Sequence, residues 1–236
     1  MRKLLLMMLV AALSVMSLTA CGNAGEEKTK EQTKPETAQE EASSDVAQET
    51  QEGAASDSGV LVAYFTRIGN TDDGFPEGVD AVTSASLQKT DDGLKGNAQL
   101  IAEWIADETG ADLFAVESED LYPADYNATV EKAQEDQNDE TRPALTKKVE
   151  DMGQYEKVYL VFPNWWGDLP MPVYSFLEEY DLAGKDIVLY VTHEGSGFSG
   201  TVDTVKDLQP KANVTEGLSI RGGDVADSEK EVRSSL

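Results

Sequence analysis

Five short apolar runs alternate with stretches of helical periodicity, and this alternation leaves the chain very few architectures. The runs are Val60–Phe65, Leu113–Val116, Val158–Phe162, Ile187–Val191 and a last one ending in Leu218-Ser219-Ile220. Runs that are apolar throughout, rather than at every second residue, suit strands covered on both faces, as in parallel sheets. Between them, Ala98–Thr109 sets Leu100, Ile101, Trp104 and Ile105 on one helical face and stops at Gly110. Tyr126–Gln137 reads as a polar helix, Met171–Tyr180 as a helix behind Pro170 and Pro172, and Gly200–Leu208 as the next. Asp227–Leu236 predicts a short last helix whose weak apolar pattern would leave one sheet face thinly covered. Strand and helix in such order predict an α/β fold, a doubly wound five-stranded parallel sheet in a three-layer sandwich. Ligands of such sheets bind beyond the carboxyl ends of the strands.

Three loops at those ends carry the chemistry. After strand one, Thr66-Arg67-Ile68-Gly69-Asn70-Thr71 offers hydroxyls and backbone amides suited to a phosphate, although Gly-Asn is also a common turn and Arg67 could be a surface charge. After strand three comes Asn164-Trp165-Trp166-Gly167. Two adjacent tryptophans cannot both point into a core, so one is expected over a cleft, where it can stack on a flat ligand. The competing reading packs one under a helix and caps an apolar edge with the other. After strand four, Thr192-His193-Glu194-Gly195-Ser196-Gly197 lets backbone approach a ligand closely. His193 is the only histidine and Cys21 the only cysteine, so neither a zinc cluster nor a disulfide is supported. No Gly-x-Ser-x-Gly elbow follows a strand, which disfavours a serine hydrolase.

Upstream, Met1–Ala20 has Arg2 and Lys3 before an apolar run, the pattern of a signal peptide. Leu18-Thr19-Ala20-Cys21 resembles the lipobox of bacterial lipoproteins, which implies a lipid on Cys21, a membrane anchor and an extracytoplasmic location. Residues 22–58 are too polar to offset their ordering entropy and are expected to form a tether of roughly 35 Å end to end. From residue 59 to 236, 35 acidic residues face 14 basic ones, a net of −21. That charge repels nucleic acid and is compatible either with simple solubility or with steering of a basic redox partner protein.

Taken in order, the three loops resemble those of the flavodoxin family, over about Val60–Gly223. The resemblance implies strand order 2-1-3-4-5, noncovalent FMN and electron transfer. It implies that Thr66, Arg67, Gly69, Asn70 and Thr71 face the phosphate. Asn164, Trp165, Trp166 and Gly167 would line one side of the ring, with Thr192, Glu194, Gly195 and Gly197 on the other. Gly167 is the position where the family's peptide flip requires a positive φ. The chain departs from the family pattern at an insert of about 72–95, after which Gly96-Asn97 repeats the Gly-Asn theme before the first helix. The expectation is a split phosphate cradle, completed by Gly96 and Asn97, with the insert looping over the cofactor. Asp80–Ser86 resembles the motif of extracytoplasmic flavin-binding domains, which would make Ser86 a covalent FMN acceptor; a plain small-residue turn is the competing reading. The leading function is an electron carrier. The alternatives are an FMN-dependent NAD(P)H:quinone oxidoreductase with a pocket walled by a tryptophan and Tyr122 or Tyr126, a flavin-binding lipoprotein without turnover, and an adhesive module.

Overall fold

Val60–Tyr64 forms the strand β1 around which the rest of the sheet is laid down in both directions. The computed structural model describes residues 58–72 and 86–236. After β1 come β2 (Leu87–Thr90), β3 (Gly93–Gly96), α1 (Asn97–Thr109), β4 (Asp112–Ala115) and α2 (Tyr126–Asn138). Then follow β5 (Lys157–Pro163), α3 (Met171–Glu179), β6 (Asp186–His193), α4 (Thr201–Leu208), β7 (Asn213–Arg221) and α5 (Glu229–Ser234).

The main sheet runs β4-β1-β5-β6-β7 with every pairing parallel. Counted along the chain, its five strands lie in the order 2-1-3-4-5, as expected. The switch point therefore falls between β1 and β5, where successive crossovers leave in opposite directions.

Alternation along the strands sorts side chains to two faces. Leu61, Ala63, Phe65, Leu160, Phe162, Leu189 and Val191 join Val173, Phe176, Leu177 and Val205 from α3 and α4 in one core. Val62, Tyr159, Val161, Tyr190 and Ile220 pack with Ile101 and Ile105 of α1 in the other. The thin coverage expected of the chain end is corrected here. Val225, in the 3-10 turn Gly222–Asp227, and Val232 of α5 are both fully buried in that second core. Only two apolar side chains are involved, too few to register as a periodic pattern, yet they close the face.

The insert also differs from the expected loop. Its second part is an antiparallel hairpin, β2 with β3, that delivers the chain directly to the start of α1. Gly96 is the N-cap of α1, with Gln99 Oε1 accepting from its amide at 3.3 Å, and Gly110 ends the helix with φ 66°. The expected signal peptide, Cys21, residues 22–57 of the expected tether and Asp80–Ala85 lie outside the described residues.

Candidate functional site

The loops after β1, β5 and β6 gather at one end of the sheet because all three strands are parallel. The first is held by its own side chains. Asn70 is buried, donating from Nδ2 to the carbonyls of Thr66 (2.9 Å) and Val116 (3.0 Å) and accepting from the Ser118 amide (2.8 Å). Thr71 Oγ1 donates to the Arg67 carbonyl at 2.9 Å. These two side chains thus brace the loop. Arg67 is no surface charge. It is 1 % exposed, and its Nη2 donates to the carbonyls of Ala124 (2.8 Å) and Pro123 (3.3 Å) and to Thr129 Oγ1 (3.2 Å). The guanidinium pins the entry of α2 to the end of β1. Gly69 has φ 81°, and a Cβ there would lie 2.7 Å from Glu117 Oε1.

The expected halves of the split cradle do meet. An ideal Cβ on Gly96 would fall 1.8 Å from Thr66 Oγ1, so the hydroxyl of the first loop rests directly on the backbone that opens α1. Asn97 is buried in the first turn, its amide donating to the Ser86 carbonyl at 2.8 Å and its Nδ2 to the Gly222 carbonyl at 3.3 Å. Gln88 of β2 donates to that same carbonyl at 2.9 Å. The loop after β7 therefore also belongs to this end. Sequence reasoning passed over it, although Gly222-Gly223 directly after a strand was the available signal.

After β5, Trp165 and Asp168 exchange two 3.0 Å backbone hydrogen bonds around Trp166 (φ 55°) and Gly167 (φ 82°). Two positive φ values at the centre of so tight a turn are the type I′ pattern. For a side chain as bulky as tryptophan such a φ is strained, and strain of this kind concentrates where function needs it. The two indoles diverge. Trp165 packs edge-on against Phe65 (5.2 Å between centroids) and Tyr122 (5.0 Å). Trp166 is 49 % exposed, its indole N–H donating to the Val130 carbonyl at 3.1 Å.

Asn164 stitches the last two loops together. Its Nδ2 donates to the Gly197 carbonyl at 3.0 Å, its Oδ1 accepts from the Gly167 amide at 3.0 Å, and its own amide donates to the Thr192 carbonyl at 2.7 Å. The Gly200 amide adds a bond to the Gly167 carbonyl at 3.1 Å. His193 Nδ1 accepts from the Gly195 amide at 2.8 Å, across a backbone where Gly195 has φ 127° and Gly197 φ 60°. Glu194 sits at the rim, 3.8 Å from Arg221. Thr192 is 1 % exposed, and its Oγ1 has no hydrogen-bond partner among the described residues.

A cavity of about 190 Å³ opens between the tryptophan turn and α2. Trp165, Trp166, Tyr126 and Val130 form its apolar wall, and Arg67 and Ser86 its polar end. Of the tyrosines raised as candidate walls, Tyr126 lines it, while Tyr122 is buried behind Trp165. Burial, reinforced by Asp136 and Asp120, pushes the Tyr122 hydroxyl far above its usual range. Lys132 bridges Asp120 at 2.8 Å and Asp136 at 3.2 Å, with its ammonium 5.4 Å from the Tyr122 ring centroid. Tyr64, under the first loop, is pushed up to about 12 by burial and then by Glu103 and Glu117. Both phenols stay protonated at any ordinary pH.

A twofold-wound parallel sheet, with glycine-bearing loops joined over its carboxyl end and an exposed indole beside them, defines a ligand-binding α/β sandwich. The chain belongs to the flavodoxin family: the family model described as flavodoxin matches residues 90–233, more than half of its length. No curated protein matches it. Among solved structures it is similar to a protein assigned as a flavoprotein from Bacteroides uniformis, with 21 % identity over 74 % of this chain and 97 % of the other and a TM-score of 0.53. A second such protein, from Bacteroides eggerthii, shares 23 % identity over 73 % and 96 % with a TM-score of 0.50. A flavoprotein in complex with FMN from Lactobacillus acidophilus aligns at 17 % identity over 72 % and 97 %, with a TM-score of 0.48. At these identities the likeness is one of fold.

Proposed function

We propose that this chain is an extracytoplasmic electron-transfer flavoprotein that binds FMN noncovalently at the carboxyl ends of β1, β5 and β6. The observation that carries this reading is the Asn164 bracket, which ties the tryptophan turn to the glycine loop after β6 and so builds two walls of one slot. The residues present fit the cofactor. The N-terminus of α1 with the Thr66 hydroxyl against Gly96 suits a phosphate, by amide donors and helix dipole. The half-exposed Trp166 offers a stacking face, and Thr192 keeps a buried hydroxyl without a partner among the described residues. When bound, FMN supplies one- and two-electron redox chemistry. The chain holds the phosphate, orients the ring between the loops and screens it from water.

The lipobox-like Leu18–Cys21 supports anchoring to the outer face of the bacterial membrane by a lipid on Cys21. The strongly acidic domain supports a basic redox partner. Titration of the purified chain with FMN tests the central claim: flavin fluorescence is expected to quench at one-to-one stoichiometry, and unchanged fluorescence overturns it. A second reading, an NAD(P)H:quinone oxidoreductase, draws support from Tyr126 and Trp166, which both line the cavity and are both exposed. Rapid bleaching of the FMN-loaded protein by NADPH without any partner would favour it.

A further inference from the structure

Tyr126, Thr129, Val130 and Ala133 follow one another at helical spacing on one face of α2, and all four line the cavity beside the tryptophan turn. Trp166 closes it from the turn. Its backbone holds φ 55° and its indole N–H donates to the Val130 carbonyl at 3.1 Å, so the strained residue is tied to α2 and its side chain belongs to this cavity. Strain at a bulky residue persists only where its surroundings fix it, and here α2 does so. Among the described residues that line the cavity, none comes from the glycine loop after β6, the far wall of the slot for the flavin ring.

Size and lining define what fits. The cavity holds about 190 Å³. An apolar cavity of about 150 Å³ takes one benzene ring, whereas pockets for drug-sized molecules begin at roughly 300 Å³. The space suits one aromatic ring with a small substituent and is too small for the three fused rings of a flavin. Trp165, Trp166 and Tyr126 supply aromatic surface for such a ring. The polar lining is more than nine-tenths buried: Arg67 is 1 % exposed, Thr129 3 % and Ser86 8 %. Arg67 Nη2 donates to Thr129 Oγ1 at 3.2 Å, and that hydroxyl donates to the Pro123 carbonyl at 2.6 Å. Hydrogen-bond donors and a positive charge thus gather at one end of an aromatic cavity, which favours an oxygen acceptor there and disfavours a cation.

We infer that this cavity is a second ligand site, separate from the flavin slot, for a single-ring aromatic molecule that carries an oxygen acceptor. The ring lies among Trp165, Trp166 and Tyr126, with its oxygen toward Arg67 and Ser86. The site shares its place with the oxidoreductase reading but goes beyond it, since binding here needs neither FMN nor NAD(P)H.

The test titrates the full chain, free of flavin, with benzamide, benzoate and benzylamine, three rings of similar size whose substituents differ, and follows binding by calorimetry. Benzamide and benzoate are expected to bind one per chain, and benzylamine at least about ten-fold more weakly because it sets a cation against the guanidinium. In the nitrogen-15-labelled chain, the indole N–H signals of Trp165 and Trp166 are expected to shift on binding while that of Trp104, on α1, stays. Ala133→Leu, which fills the cavity from α2, is expected to weaken benzamide and benzoate by about ten-fold or more, with its ligand-free melting curve reporting whether the fold is kept. If that variant does not fold, the ligand series and the indole shifts of the parent chain decide. Absence of binding, equal binding of benzylamine, a shift at Trp104 alone, or unchanged affinity in a folded Ala133→Leu overturns the inference. Benzamide is also expected to bind the FMN-saturated chain as it binds the free one, and displacement by FMN overturns the separate site. A chain that takes benzamide but no FMN sinks the FMN reading and leaves this site standing.

Discussion

The Thr66 hydroxyl occupies the place where a side chain on Gly96 would begin, 1.8 Å from an ideal Cβ. Two segments separated by the insert are thereby locked in contact at the start of α1. Gly96→Ala must push the Thr66 side chain aside, and overpacking of this kind costs about 1–3 kcal/mol. Its melting temperature is expected to fall and its FMN affinity to drop at least ten-fold. Differential scanning calorimetry and fluorescence titration check the two effects, and an unchanged FMN affinity removes Gly96 from the cradle.

Gly167 has space for a side chain but not the conformation. The nearest atom to an added Cβ is Ser199 Cβ at 4.0 Å, while φ is 82°. Gly167→Ala is expected to cost about 1–2 kcal/mol, all of it backbone strain. Gly167→Asn, which tolerates the left-handed region better, is expected to cost less. Chemical denaturation midpoints at equal slope compare the pair.

Asn164 donates to one loop and accepts from the other. Asn164→Asp keeps the acceptor for the Gly167 amide and loses the donor to Gly197; Asn164→Ala loses both. The expected order of FMN affinity is parent, aspartate, then alanine. Hydrogen exchange at Gly167 should accelerate in the alanine variant alone.

Alkaline pH reports on two half-buried phenols. Tyr174 donates to Asp168 Oδ2 at 2.6 Å and is pushed up to about 12, by burial first and then by that bond; Tyr64 reaches about 12 as well. Both folded values exceed the ordinary tyrosine value of about 10. Their contribution to stability is therefore whole below pH 10 and is lost as pH rises through 12. Melting temperature should decline across that window, and Tyr174→Phe should remove one late step from the phenolate absorbance titration.

Ser86 lines the cavity at 8 % exposure. Noncovalent binding predicts that denaturation releases all flavin into the filtrate. Intact mass of the native protein then shows no added FMN; a flavin mass retained on the Ser86 peptide contradicts the noncovalent reading.

How much of this was legible in the sequence varies by element. The five strands and their two-sided burial were, because an apolar run of strand length has few other places to go, and parallel order follows from the interleaved helices. Glycines and polar residues after strands one, three and four likewise marked the ligand end. Side-chain destinations were not legible, because each depends on atoms remote in the chain. Arg67 reads as surface charge or phosphate ligand until α2 delivers the carbonyl of Pro123, 56 residues on, and the hydroxyl of Thr129, 62 on. Trp165 and Trp166 look equivalent until a positive φ at Trp166 sends one indole to Phe65 and Tyr122 and the other to solvent. Local pattern determined where backbone would run, since burial period is a property of neighbouring residues. Only the tertiary structure decided which polar groups are spent on holding the loops and which, like the Thr192 hydroxyl, have no hydrogen-bond partner among the described residues.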